Sequence, residues 1–268
     1  NAPSIESHQS GMDDWLLGRL SESRKRWVEA MNNVSLREGV MISHFEMLSD
    51  WQWYRRRGGS NKTTIQRYMS NWAEMLAPAT PHLAEEFWDS LGRDGLLASN
   101  TLSDLSDLSS KDWSHTLAME EYLRELIDSA RNIKILAQKH SEKPLTKMVI
   151  QTSPLWKSEL ASDAIEMSLS DFDFKAKGQD YLKNLPIFSN ESLRGEIFQT
   201  WMSMTSGTKK KRGRINTWSY GQKTLLRNGF DESSMINMNS SFIANSLGVE
   251  NVESYSCLLY TSPSPRDK

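Results

Sequence analysis

The chain has 268 residues, 38% of them hydrophobic and 25% charged, which is enough length for one or two domains and enough apolar content for a packed core. Its 32 basic and 34 acidic residues leave a formal net charge of −2, so the field of the whole molecule cannot attract a polyanion and any such partner must meet local basic patches. No apolar run approaches the roughly 20 residues that span a bilayer and no signal peptide is visible, so a cytoplasmic protein without a membrane partner is expected.

Asp13 and Asp14 open the first predicted helix, with Trp15, Leu16, Leu20, Trp27, Val28 and Met31 on one face. Ser35 and Glu38 have capping-box spacing, which predicts a second helix through Met41, Phe45 and Leu48 to about Arg57, where Gly58 and Gly59 stop it. A third helix is expected from about Thr64 to Leu76. Pro78 pushes its neighbour out of the helical region, Thr80 can cap through its hydroxyl, and Pro81 suits the first position of a fourth helix reaching Leu91, with Gly92 beyond. Four helices with short connections predict an up-and-down bundle.

The Ser/Asp-rich text SNTLSDLSDLSS (99–110) then reads as the core of a linker over 98–112, which separates a helical domain, 1–97, from a second domain, 113–256. In the latter a long helix is predicted from about Leu117 to Lys139, with Leu123, Leu126, Ile127, Ala130, Ile133 and Leu136 inward. Lys147 to Thr152 reads as a strand, and a helix bearing Trp156 and Leu160 starts after Pro154. Another helix lies near Glu191 to Met204, a final one runs from about Asp231 to Leu247 before Gly248, and Val252 to Tyr255 makes a last strand. The expected fold class is therefore mainly α: a helical bundle followed by a smaller α+β C-terminal domain with a sheet of two or three strands.

The sequence assigns no catalytic residue and no metal ligand. It has no phosphate-cradling glycine loop, and its five histidines lack zinc-ligand spacing with one another. Glu85 with Glu86, and Glu120 with Glu121, point in different directions on a helix and read as solvated faces rather than acid–base pairs. Two basic clusters remain. Arg55, Arg56 and Arg57 end a helix beside Trp51, Trp53 and Tyr54, where planar guanidinium groups can fork onto phosphates and complement the helix dipole. Lys209, Lys210, Lys211, Arg212 and Arg214 place five charges in the run KKKRGR. The bland readings are a solvated helix end and an ordinary basic loop. Trp51 reads as core, and His82 as a satisfied turn histidine.

The end of the chain, CLLYTSPSPRDK (257–268), contains the only cysteine, Cys257. From Cys257 to Asp267 it resembles the translation of a transposase sequencing adapter, so 257–268 is expected to be an artefact and the chain a piece of a longer reading frame. A Ser/Pro-rich terminus is the alternative.

LAPATPHLAEEFWDSLGRDG (76–95) resembles the junction motif of the anticodon-binding domain in class I aminoacyl-tRNA synthetases that charge large aliphatic amino acids. The family form is roughly a Pro-Phe-Thr-Pro-His turn followed by an acidic helix ending in Trp, Leu and Gly, and Ala79 stands here in place of the usual Phe. His82 favours the leucyl branch over the isoleucyl and valyl branches. MDDWLLGRL (12–20) and DWQWYRRRGG (50–59) are similar to the archaeal and eukaryotic type of leucyl-tRNA synthetase.

The resemblance implies a tRNA-binding C-terminal portion of a leucine-tRNA ligase, a monomer that takes tRNA(Leu) and no DNA. It implies that ATP is bound by a catalytic domain outside this fragment, with no cofactor within it, since the His-Ile-Gly-His and Lys-Met-Ser-Lys-Ser signatures are absent. An isoleucyl or valyl enzyme fragment, or a non-catalytic helical scaffold for protein partners, remains the alternative.

Overall fold

The computed structural model describes residues 5–141, 143–170, 172–206 and 214–256, with side chains from residue 11 onward except that of Arg214. The chain is mainly α and divides into two compact units, Asn1–Glu120 and Glu121–Lys268.

The first unit is a set of packed helices. Helix α1 (Ile5–Asn32) begins upstream of the Asp13–Asp14 pair expected to open it. Its side chains Met12, Trp15, Leu16 and Leu20 are buried, and the helix packs against α3 (Met47–Arg56) and α4 (Lys62–Leu76). Between α1 and α3, α2 (Leu36–Val40) passes directly into a π-helical turn, Met41–Glu46. The capping box expected at Ser35 does not form: Val34 adopts a left-handed φ of 56°, Ser35 follows with ψ 66°, and its hydroxyl makes no cap hydrogen bond. The π turn has no periodic signature in sequence, since one wider turn leaves the surrounding apolar spacing nearly intact. Within it the Ser43 carbonyl accepts the Trp72 indole N–H at 2.6 Å, and just past it the Met47 carbonyl accepts the Tyr68 hydroxyl at 2.8 Å.

Helix α5 (Pro81–Ser90) starts at the proline that predicted it, and Gly92 follows with φ 68°. The corner before it is held differently from expectation. Thr80 makes no side-chain cap; its hydroxyl lies 3.3 Å from both the Leu76 carbonyl and His44 Nε2. Ala73, Leu76, Ala84, Trp88 and Leu97 bury a small core under this corner, with Trp72 and Phe87 packed edge to face at 5.7 Å. Glu85 is not a bystander: its two carboxylate oxygens accept the backbone N–H groups of Leu97 and Ala98, each at 2.8 Å.

The Ser/Asp-rich stretch packs onto this unit. Leu105 and Leu108 are buried, the latter in α6 (Ser106–Ser109), and Arg67 pairs with Asp107. Buried Glu74 accepts the Ser103 N–H at 3.0 Å and pairs with Arg24 at 2.8 Å. Low hydropathy thus marks a segment fastened by carboxylate and hydroxyl contacts, and the division between units falls inside α7 (Ser114–Gln138) rather than at 98–112.

The second unit is the longer of the two. Its strands β1 (Lys147–Thr152) and β2 (Asn251–Ser256) pair in parallel, Lys147 opposite Asn251 and Thr152 opposite Ser256. Parallel strands require a crossover, and this one carries α8 (Leu155–Leu169), α9 (Phe174–Asn184), α10 (Arg194–Thr205), α11 (Tyr220–Arg227), α12 (Glu232–Met238) and α13 (Ser240–Leu247). Leu160, Ala164, Ile165, Leu182, Ile197 and Trp201 form its core. The single helix expected from Asp231 to Leu247 is broken at Asn239, whose side-chain amide donates to the Met235 carbonyl at 2.8 Å and ends α12. In α7, Leu123, Ile127 and Ala130 are buried as predicted, but Ile133 and Leu136 are exposed. The tail at 257–268 lies outside the described residues.

Candidate nucleic-acid interface

Arg55 and Arg56 sit on the last turn of α3 and Arg57 is its C-cap, and the fold separates the three. Arg55 and Arg56 are exposed and Arg57 is buried. Successive residues on a helix point about 100° apart, so three adjacent arginines cannot share one face. Arg57 turns toward α7, where its Nε and Nη2 donate to the two oxygens of Glu120 at 3.0 and 2.9 Å. The Trp53 indole N–H donates to the same carboxylate at 2.9 Å. Glu120 is therefore a structural anchor and not the solvated face expected of it, and Arg57 is taken out of the phosphate-binding set. Glu121 does remain exposed.

Arg55 and Arg56 lie over aromatic rings. The Arg55 guanidinium is 5.6 Å from the Trp51 ring centre, and that of Arg56 is 5.4 Å from Trp53. Trp51, expected in the core, is half-buried and stacks on Tyr54 with centroids 5.9 Å apart. Arg55 Nη1 also donates to the Gly59 carbonyl at 2.9 Å. These contacts hold the two planar cations at the helix end, where the charge complements the dipole.

The loop after the triplet is shaped by Gly58 and Gly59. Gly58 takes φ 88°, which the helix stop requires. Gly59 packs on the Tyr54 ring so closely that a Cβ there would meet it at 2.3 Å. The Tyr54 hydroxyl donates to Asp13 at 2.6 Å and accepts the Asn61 N–H at 3.2 Å. Asn61 Nδ2 donates to the other Asp13 oxygen at 2.8 Å, while its Oδ1 caps α4 by accepting from Thr63 and Thr64. Burial, reinforced by the Asp13 carboxylate, pushes the Tyr54 phenol well above its ordinary range, so it remains a donor. Sequence reasoning missed this network because its members are separated by up to 48 positions. Exposed Lys62, the first residue of α4, adds a further positive charge to this end of the unit.

The second cluster falls in the other unit. Lys209, Lys210, Lys211 and Arg212 lie outside the described residues; Arg214 begins a short 3-10 turn, Arg214–Asn216. His82 is exposed at the second position of α5. Among the described residues no group of three or more His, Cys, Asp or Glu could hold a metal ion, and no helix is long and apolar enough to cross a membrane.

Comparison with known proteins gives the same direction. Residues 13–149 match the family described as the anticodon-binding domain of tRNA ligase. The chain is 27% identical over 246 residues to the leucine–tRNA ligase of Methanococcus maripaludis, covering 87% of this chain and 23% of that protein. It is 32% identical over 157 residues to the leucine–tRNA ligase of Methanothrix thermoacetophila, covering 59% of this chain and 16% of that protein. Over 123 residues it is 33% identical to the leucine–tRNA ligase of Archaeoglobus fulgidus, covering 46% and 13%. It thus spans less than a quarter of the length of these curated relatives. With a family match across half its residues, covering the helical unit and the corner motif, the chain belongs to the anticodon-binding domains of tRNA ligases.

Proposed function

We propose that this chain is the tRNA-binding portion of a leucine-tRNA ligase, whose full-length form joins leucine to tRNA(Leu) with ATP. The observation that carries the reading is the end of α3. There Arg55 and Arg56 are exposed and held over Trp51 and Trp53, and a buried pair between Arg57 and Glu120 fixes the helix end behind them. Such an array suits the phosphate and 2′-hydroxyl surface of folded RNA, which proteins recognise by shape and charge more than by base edges. The basic run at 209–214 supplies a second set of phosphate contacts in this reading.

The names of the similar proteins support the leucyl branch over the isoleucyl and valyl ones, and the family match disfavours a protein-binding scaffold. ATP and the aminoacyl chemistry belong to the parent protein outside this chain; the residues described here bind and orient tRNA. A cytoplasmic monomer that binds neither DNA nor membrane completes the reading. Aminoacylation by the full-length parent with leucine, isoleucine and valine in turn tests it. Charging with leucine supports the assignment, and charging with isoleucine or valine instead moves the chain to a sister branch.

A further inference from the structure

The second unit contains a cleft of ≈ 440 Å³, within the range of small-ligand sites. Its walls come from α7, from α8 and the turn before it, from the end of α10 and from the segment between Trp218 and α12. Two chemistries line it. Tyr122, Trp218 and Phe230 present aromatic side chains, with Tyr122 and Phe230 packed edge to face at 5.0 Å, and Leu155, Met204 and Leu225 add apolar surface. Glu125, Asp231 and Glu232 bring three carboxylates. Lys157, the cation among the described lining residues, is already paired with Glu196 at 2.7 Å.

The fold positions these carboxylates. The Tyr122 hydroxyl and the Ser153 N–H, the latter at 3.2 Å, donate to different oxygens of Glu232. Asp231 accepts from the Ser234 hydroxyl and N–H in capping α12, and those hydrogen bonds hold its carboxyl below the usual range. Each carboxylate oxygen has a second lone pair, so both residues keep acceptor capacity. Glu125 is exposed at the rim.

We propose that this cleft binds a small aliphatic amine carrying two or more ammonium groups, an inference that does not depend on the tRNA-binding reading. The lining disfavours the other ligand classes. An anion would meet three carboxylates and a lysine that is already neutralised. A neutral apolar ligand would strip water from the carboxylates without pairing them. A bare metal ion is unsuited too, since among the described residues no group of three or more His, Cys, Asp or Glu could hold one. An organic cation satisfies both chemistries. Its ammonium groups donate to carboxylates and are also drawn to the faces of aromatic rings, so the rings point to a cation independently of the acids. The acids come from two elements, Glu125 from α7 and Asp231 with Glu232 from the start of α12, which suits more than one ammonium group. Leu155, Met204 and Leu225 suit the methylene stem between them.

The test is isothermal titration calorimetry of the 268-residue chain, free of RNA, with putrescine and spermidine. Butanediol, which has the stem without the charge, and magnesium chloride, which has the charge without the stem, are the controls. Both amines are expected to bind saturably, one per chain. Butanediol should not bind, and magnesium at matched ionic strength should not displace the amines. Glu125→Gln, at an exposed position of α7, should weaken the amines about fivefold. Phe230→Leu should weaken them about threefold through the lost cation–π contact. If the Phe230 variant does not fold, Glu125→Gln decides alone. Lack of saturable binding, butanediol binding as well as putrescine, displacement by magnesium, or unchanged affinity in Glu125→Gln overturns the inference. Full affinity in a folded Phe230→Leu variant would reduce the site to a surface ion pair and overturns it as well.

Discussion

Arg57 and Glu120 form a two-point ion pair between the C-cap of α3 and helix α7, with the Arg57 side chain 5% exposed and that of Glu120 12% exposed. Removing one partner of a buried pair strands the other charge, and here it also disturbs the carboxylate that holds the Trp53 indole. Arg57→Ala is therefore expected to destabilise the chain by about 3 kcal/mol, measured by denaturant unfolding. Arg57→Lys should recover little, because an ammonium cannot span both carboxylate oxygens. A loss below about 0.5 kcal/mol would place Arg57 among ordinary surface residues.

The two remaining arginines behave oppositely. Replacing Arg55 and Arg56 by alanine should leave unfolding free energy within about 1 kcal/mol of the parent, two exposed changes of roughly 0.5 each. It should flatten the salt dependence of tRNA binding by about 0.7 to 0.9 in logarithmic slope for each phosphate that is no longer neutralised. The same measurement on a variant neutralised at Lys209, Lys210 and Lys211 reads out the basic run. An unchanged slope reduces either cluster to a solvated surface.

Gly59→Ala places a methyl group 2.3 Å from a Tyr54 ring carbon. The ring is fixed by its hydroxyl contacts to Asp13 and Asn61, so the loop must shift instead. A loss of about 1–3 kcal/mol is expected. Thermal or denaturant melts check it, and a neutral effect would show that the ring yields.

Tyr54 also sets a pH dependence. Its folded-state phenol titrates above the ordinary value of 10, first through burial and then through Asp13. The unfolded chain therefore releases this proton first. The stabilisation it contributes is complete below about pH 10 and is lost as pH rises beyond it. Tyr54→Phe should cost about 1 kcal/mol at neutral pH, and the gap between parent and variant should shrink in alkaline melts. A gap that widens with pH contradicts the assignment.

Local chemistry made part of this architecture legible. Pro81 at a first helical position and the β-branched pair Val149–Ile150 within Lys147–Thr152 fixed α5 and β1 from a few residues each. What escaped were effects set by partners distant in sequence. Glu120 looked solvated because nothing near it reveals Arg57, 63 positions away. The stretch at 98–112 looked like a linker because its anchors, Glu74 and Arg67, lie in α4. α9 and α11 went unrecognised, the former because Asp173 caps a helix with sparse apolar residues. Ser35 carried a capping signal that the left-handed turn at Val34 overrode. At the site, the arginines were visible in sequence, but which of them face solvent depends on the helix rotation and on Glu120.

The most direct test of the tRNA(Leu) assignment is competition binding of the isolated chain to tRNA(Leu), tRNA(Ile) and tRNA(Val) transcripts at one fixed salt concentration. A tRNA-binding portion of a leucyl enzyme should hold tRNA(Leu) at least about tenfold more tightly than the other two, a difference of roughly 1.4 kcal/mol. Equal affinity for all three, or none for any, would contradict the account.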